Sequence, residues 1–303
     1  MTTLRRLAVL VAAHDRRDKT VACMHALQIA AGRLPGWDWQ VFLADDGSAD
    51  GTARAARAVI GERLHVLRGD GTWFWAASMA VAESAASSWR PDALLWLNDD
   101  VELEPHALEL LLAEQERLPA ASVVAGAVSA RSTGEVTYAG FVRRHRSPLK
   151  LTDVAPAGAA RRIDTFTGNA VLVSRAACEA VGPLDGGFSH AYADIDYGLR
   201  ATAAGVSVVL AGACVGHCEA NPVRSVIYDS RVPLRQRWRA AMNRRGIPWA
   251  SQRRLYRRHG GPAWPVLYAA SYLRVLVPPR APATASSPRA TDDAGPDGVV
   301  VPR

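Results

Sequence analysis

The sequence predicts an α/β fold: a mainly parallel sheet with helices on both faces, plus a C-terminal helical segment. Three observations carry this. Apolar runs of strand length recur at Leu7–Ala13, Val41–Ala44, Leu64–Leu67 and Ala93–Leu97, and each is followed by a stretch of helical character. The runs read as strands buried on both faces, which is how parallel strands covered by helices appear. Polar, mostly acidic turns close three of them: His14-Asp15, Asp45-Asp46 and Asn98-Asp99-Asp100.

The elements follow in order. Asp18–Ala31 reads as a helix with Asp18 as its N-cap. Asp45–Ser48 is a turn by composition, and Thr52–Ile60 is an Ala/Arg helix. Trp75–Ser88 is a helix of small residues. A further helix is expected over about Pro105–Leu118, with Pro105 at its first position. Ser122–Val128 and Glu135–Val142 read as strands around the Ser132-Thr133-Gly134 turn. Residues 143–163, rich in Arg, Pro and Ala, are expected to form a mobile loop. Thr167–Val173 is a strand, Arg175–Val181 a helix closed by Gly182-Pro183, Ile195–Ala204 a helix, and Val206–Leu210 a closing strand. From Pro222 the chain is rich in Arg and Trp and helical. The apolar part of Tyr256–Val277 is too short, and too interrupted by Pro265 and Arg274, to span a bilayer. Residues 278–303, rich in Pro, Ala, Ser and Asp, read as a disordered tail.

The chain has 303 residues, 49% of them hydrophobic, enough for one sizeable core and a small accessory region. Its net charge of +7 is unevenly spread. Residues 1–221 hold 21 Lys+Arg against 25 Asp+Glu, whereas Arg224–Arg258 holds eleven arginines against Asp229 alone. Such a segment fits anionic phospholipid headgroups, a polyanionic acceptor or a solvated helix face. Nothing resembles a nucleic-acid recognition module, so no nucleic-acid partner is expected. The four cysteines suggest no disulfide framework, and the apolar run after Met1 is of strand length without a cleavage site. The expectation is a cytoplasmic protein with reduced thiols, open to peripheral contact with the inner membrane surface through 224–258.

In an open α/β sheet, ligands sit beyond the carboxyl ends of the strands. Acidic side chains gathered there repel one another and are tolerated when a cation or ligand donors neutralise them. A hard divalent ion bridging phosphate oxygens and one or two carboxylates meets that need. Turn and capping chemistry is the competing reading for each cluster. The Gly69-Asp70-Gly71 turn before a helix could offer backbone N–H groups to a phosphate, but a plain turn is the stronger reading. The Cys214–Cys218 spacing matches no common zinc finger.

These motifs, in this order, resemble the inverting family 2 glycosyltransferases of GT-A fold over roughly residues 5–220. The blocks are LVAAHDR at Leu10–Arg16, FLADDGSADGT at Phe42–Thr52, LWLNDDVEL at Leu95–Leu103, FTGNAVLVSR at Phe166–Arg175, and GPLD at Gly182–Asp185 followed by YADIDYGLR at Tyr192–Arg200. The resemblance implies a catalytic domain over 1–221, with a nucleotide-sugar half to about 104 and an acceptor half over 105–221. A basic, aromatic helical extension over 222–277 and the tail would follow.

It also implies roles. Asp45 would bond the nucleotide base, with Ala13, His14, Asp15 and Arg16 near base or ribose. Asp99 would lie toward the donor sugar and Asp100 on a divalent cation, Mg²⁺ or Mn²⁺, with His217 as second ligand and Asn98 shaping the turn. Gly168, Asn169 and Tyr192 would border the acceptor. Asp194 would be the general base, with Asp196 the fallback or else an ion-pair partner of Arg200. Ala193 stands where the family often has Glu. Gly71, Trp73 and Trp75 resemble a rhamnosyltransferase-like subgroup that uses deoxysugar donors such as dTDP-rhamnose; the two tryptophans line the donor pocket or belong to the core.

Such a site moves a sugar from a dTDP- or UDP-linked donor to a saccharide, lipid-linked or natural-product acceptor. The diphosphate leaving group needs a cation, the attacking hydroxyl needs a carboxylate, and in-line attack inverts the anomeric centre. Alternatives are a nucleotidyltransferase, disfavoured because Ala13–Arg17 contains no glycine, and a non-catalytic sugar-binding protein of the same fold. A homodimer is left open.

Overall fold

The computed structural model describes residues 4–144, 147–189, 191–220, 226–227, 229–242 and 247–276. The first half runs β1 (Arg5–Ala13), α1 (Arg17–Ala31), β2 (Trp37–Asp45), α2 (Thr52–Ile60), β3 (Leu64–Arg68), α3 (Phe74–Ser87), β4 (Ala93–Asn98), β5 (Glu102–Leu103) and α4 (Ala107–Glu116). The second runs β6 (Ser122–Ser129), β7 (Val136–Tyr138), β8 (Gly140–Arg144), β9 (Ser147–Val154), β10 (Arg161–Arg162), β11 (Thr165–Phe166), β12 (Ala170–Ser174), α5 (Arg175–Val181), α6 (Ala193–Ala203) and β13 (Ser207–His217). Three helices follow: α7 (Leu234–Met242), α8 (Trp249–His259) and α9 (Trp264–Leu276).

The large sheet has the order β10-β13-β6-β12-β4-β1-β2-β3, with β5 on β13 and β7 on β6. β3, β2, β1 and β4 are mutually parallel. β12 enters antiparallel to both β4 and β6. Alternation within β1 explains the two covered faces: Leu7, Val9 and Val11 join one core with Met24, Leu27 and Leu111, while Ala8 and Leu10 join the other with Met79 and Ala82. Trp96 on β4 centres the second core, edge-on to Tyr197 with ring centroids 4.8 Å apart and flanked by Phe166 and Trp75.

Several expected boundaries move. Asp18 does not cap α1; it lies in the first turn, after the N-cap position Arg16, and pairs with Arg17. Pro105 lies outside α4, whose N-cap is His106. The supposed loop over 143–163 holds strands: β8, β9 and β11 form a separate three-stranded sheet, and β10 edges the large one. Glu135–Val142 divides between the two sheets, and the strand expected from Thr167 begins at Ala170. β13 runs on to His217, with irregular register against β6 between Leu210 and Gly216. The expected tail over 278–303 lies outside the described residues.

The C-terminal helices build a small core of their own around Ile227, Ala241, Ile247 and Val275. Tyr256, Tyr268, Tyr272 and Trp238 form an edge-to-face aromatic chain across α8, α9 and α7. Among the described residues, no helix is long and apolar enough to cross a membrane.

One close approach fixes where α6 sits. A Cβ at Gly198 would lie 2.7 Å from the Thr165 Cα, so only glycine lets α6 rest on β11. The Thr165 hydroxyl reinforces the contact by donating to the Ile195 carbonyl at 2.9 Å. Gly198→Ala is expected to cost about 1–3 kcal/mol by overpacking, read as a lowered urea midpoint at unchanged m-value.

Candidate active site

Three turns at the carboxyl ends of β1, β2 and β3 are sewn into one wall. Asp46 is 4% exposed, and its two carboxylate oxygens accept the Gly71 N–H at 2.8 Å and the Phe74 N–H at 2.9 Å. The Phe74 backbone is left-handed at φ 54°, a conformation that a bulky residue keeps only where its surroundings impose it. His14 Nδ1 donates to the Asp46 carbonyl at 2.6 Å. Asp15, also left-handed at φ 48°, accepts the Ala49 N–H at 2.7 Å and donates its own N–H to the Ser48 hydroxyl at 3.0 Å. Asp45 is buried and accepts the Ser48 N–H at 3.1 Å. Ala13, His14, Asp15, Asp45 and Gly71 thus share one wall.

The Asn98-Asp99-Asp100 turn forms the next side. Asn98 donates its N–H to the Asn169 carbonyl at 2.9 Å, and its side-chain oxygen accepts the Trp75 indole N–H at 2.7 Å. Arg16 bridges the two carboxylates: Nη1 lies 3.0 Å from Asp99 and Nη2 lies 2.5 Å from Asp100. Asp99 is 3% exposed, and its second oxygen has no hydrogen-bond partner among the described residues. Burial pushes the Asp99 carboxyl up to about 7, with Asp100 adding to the rise and Arg16 opposing it.

The residues expected to border an acceptor face this turn through Trp75. The Gly168 N–H donates to Asp194 at 2.9 Å. A Cβ at Gly168 would come within 2.8 Å of the Trp75 ring and 3.3 Å of the Asp194 Cβ. Trp75 therefore spans from Asn98 to the strip holding Gly168 and Asp194. Trp73 stays on the donor-side wall, where its ring crowds Gly69. Asn169 is buried, and Tyr192 turns the chain into α6 with φ 78°. Asp196, one turn into α6, is wholly buried and does not face this space. It holds the ion pair with Arg200, Nε to oxygen at 2.9 Å, and two further side-chain partners from the extension, Arg258 and His259.

The donor set meets part of the requirement for a divalent cation. Asp99 and Asp100 are adjacent hard oxygen donors, one with an orphaned buried oxygen, which suits such an ion. His217 is not brought to them: its Nε2 lies 2.7 Å from Glu104 and its Nδ1 3.2 Å from the Ser129 hydroxyl. Among the described residues, no group of three or more His, Cys, Asp or Glu converges on one point. For two residues that the sequence reading named, the structure adds contacts it did not foresee. Asp46 lies inside the FLADDGSADGT block, but only its burial shows that it organises the wall. Arg16 was expected near base or ribose, and nothing in the sequence pairs it with two aspartates 83 and 84 residues away.

Residues 8–173 match the family Glycosyl transferase family 2. The chain belongs to that family. No curated protein matches the sequence. Among solved structures, GalNAc-T7 with UDP, GalNAc and Mn²⁺ superposes with a TM-score of 0.55 at 13% identity, over 89% of this chain and 54% of that one. S. aureus TarS 1-349 superposes with a TM-score of 0.53 at 14% identity, over 89% of this chain and 73% of that one. The family 2 chain thus spans about half the length of GalNAc-T7. These likenesses speak for the fold, which is the GT-A arrangement.

The raised Asp99 predicts a pH effect in metal-free protein. Its folded value of about 7 lies above the ordinary 3.8, so the folded state holds the proton more tightly than the unfolded chain. Stability therefore falls as pH rises between those two values and is flat above them. Asp99→Asn removes the ionisation. In EDTA, the variant is expected to gain on wild type in thermal melts as pH rises through that window, with no further gain above it.

Proposed function

We propose that this chain is an inverting glycosyltransferase that moves a sugar from a nucleoside-diphosphate donor to an acceptor hydroxyl, with Asp194 as the general base. The observation that carries the reading is Asp194 itself. It is held by the Gly168 N–H at 2.9 Å, across Trp75 from the Asn98-Asp99-Asp100 turn. A carboxylate on one side and a donor-side acidic turn on the other suit in-line displacement with inversion. Asp194 accepts the backbone N–H groups of Gly168 and Ile195, whereas Asp196 is wholly buried under the side chains of Arg200, Arg258 and His259, so Asp194 is preferred as base.

Asp45 would take the base, and the turn at Ala13–Arg16 would border base and ribose. A divalent cation, Mg²⁺ or Mn²⁺, supplies positive charge for the diphosphate leaving group when bound, and Asp99 and Asp100 are the residues that would hold it. The Mn²⁺ and UDP in the GalNAc-T7 structure support that choice. His217 would first have to leave Glu104 to join as a ligand. Arg16, already on both carboxylates, stands ready to shift toward phosphate oxygens.

Trp73 and Trp75 would line the pocket of a dTDP- or UDP-linked donor, with a deoxysugar as the transferred group. Gly168, Asn169 and Tyr192 would border a saccharide, lipid-linked or natural-product acceptor. Exposed Leu234, Trp238, Met242 and Trp249 stand among exposed Arg235, Arg239, Arg253 and Arg257, which supports peripheral contact with anionic lipid. Sedimentation with phosphatidylglycerol vesicles but not with phosphatidylcholine vesicles, weakened by salt, is the expected result.

Asp194→Asn is expected to lower kcat by about 10²–10⁴-fold while metal-dependent thermal stabilisation by the nucleoside diphosphate persists. Transfer at the wild-type rate would remove Asp194 from the role. A melt panel of UDP, dTDP and GDP with and without Mn²⁺ tests the donor class. One nucleotide should shift the transition with metal, and no shift with any of them would overturn the reading.

A further inference from the structure

The reaction as proposed makes no use of the C-terminal extension, yet α8 ends on the helix that carries Asp194. Asp196 is fully buried two residues after Asp194, in the same first turn of α6. Arg200, from its own helix, would suffice as a local partner. Two more come from α8: Arg258 Nη1 lies 2.8 Å from both Asp196 oxygens, and His259 Nε2 lies 2.8 Å from one of them. Arg258 reaches on to Asp185 at 2.9 Å, where Arg254 joins it at 2.8 Å. Burial pushes the Asp196 carboxyl up, but the bonds from His259, Arg258 and Arg200 outweigh it and hold the group below its ordinary value.

The stretch before α6 is held from the same side. The Ser251 hydroxyl of α8 accepts the Ser189 N–H at 2.9 Å and lies 2.9 Å from the Ser189 hydroxyl. The Ser189 carbonyl in turn accepts the Ala76 N–H at 3.2 Å, beside Trp75. Asp194 is therefore bracketed between two points anchored to α8, Ser189 and Asp196. At the start of α6 the N-cap Tyr192 is left-handed, and the Asp194 side chain itself accepts the Ile195 N–H at 2.8 Å.

We propose that α8 positions the base. Arg258 and His259 on Asp196, with Ser251 on Ser189, hold the first turn of α6 so that the Asp194 carboxylate stays aimed past Gly168 at the acceptor. Arg258 and His259 are positioning residues, acting through Asp194 rather than on substrate. The proposal rests on Asp194 as base. A small displacement of such a group is sufficient to slow the reaction, because rate depends steeply on reactant alignment.

The test uses the full chain and transfer from UDP- and dTDP-linked hexoses to octyl glycosides. Arg258→Gln leaves Asp196 paired with Arg200 and His259, so the variant is expected to fold. It should lower kcat about 10- to 100-fold with little change in donor KM or nucleoside-diphosphate affinity. Amide exchange over residues 191–200 should quicken by about 10-fold, and Arg258→Lys should recover part of the rate. Added to Asp194→Asn, Arg258→Gln should cost no further rate. Unchanged exchange over 191–200, or the same fold-loss in both backgrounds, would overturn the proposal. If Arg258→Gln fails to fold, Asp185→Asn loosens Arg258 while keeping Asp196 paired, and the same readouts decide. Wild-type transfer by Asp194→Asn would sink the base reading alone, since the exchange arm still reports whether α8 holds α6.

Discussion

Four carboxylates, those of Asp45, Asp46, Asp99 and Asp196, are buried around the carboxyl end of the sheet and the start of α6, and a carboxylate taken out of water has to find donors or cations there or give up its charge. The protein answers this differently at each position. Asp46 is satisfied by backbone N–H groups and becomes the tie between two turns. Asp196 is satisfied by two arginines and a histidine and becomes the tie between α6 and the extension. Asp99 has one arm of Arg16 and a second oxygen with no partner among the described residues, and burial drives its carboxyl up to about 7. The degree of compensation distinguishes these three: Asp46 and Asp196, with both oxygens paired, tie elements together, while Asp99 keeps an oxygen on which a cationic or hydrogen-bonding ligand would have something to gain.

Distance between the two walls is set by Trp75. Its indole N–H is committed to Asn98, its ring packs edge-on to Trp96, and its far edge leaves room for nothing larger than glycine at position 168. A large rigid side chain with few rotamers holds a gap better than a chain of polar contacts would. The same ring belongs to the core and to the site, so the two readings that the sequence left open for Trp75 do not exclude one another.

The parallel strands were legible because burial on both faces leaves an uninterrupted apolar run that no other environment requires. The small sheet was not, because β11 is only two residues long and most described side chains of β9 are exposed or half-buried. Leu149-Lys150-Leu151-Thr152 does alternate, with Lys150 exposed and the leucines half-buried, but the Arg, Pro and Ala around it outweighed so brief a period-2 signal. Helix starts misled for a related reason: Asp18 and Pro105 have the right chemistry for a cap and a first turn, yet tertiary contacts begin each helix elsewhere. Of the site, the Asp196–Arg200 pair was open to inference because one turn separates the residues. The pairs Arg16–Asp99, Trp75–Asn98 and Arg258–Asp196 join distant segments, and only the fold brings them together.

The basic segment resolves along the same lines. Arg253 and Arg257 lie one turn apart on α8, as do Arg254 and Arg258 in the adjoining row. All four are exposed, but the second row meets Asp185 and Asp196, whereas the first, beside Trp249, pairs with no acid among the described residues. One short helix thus carries an inward row matched to buried or half-buried acids and an outward row matched to none among the described residues. A net charge summed over the segment merges these two functions. The inward row needs arginine in particular, because one guanidinium has to reach Asp196 and Asp185 at once, and a lysine ammonium offers a single point charge in place of that fork.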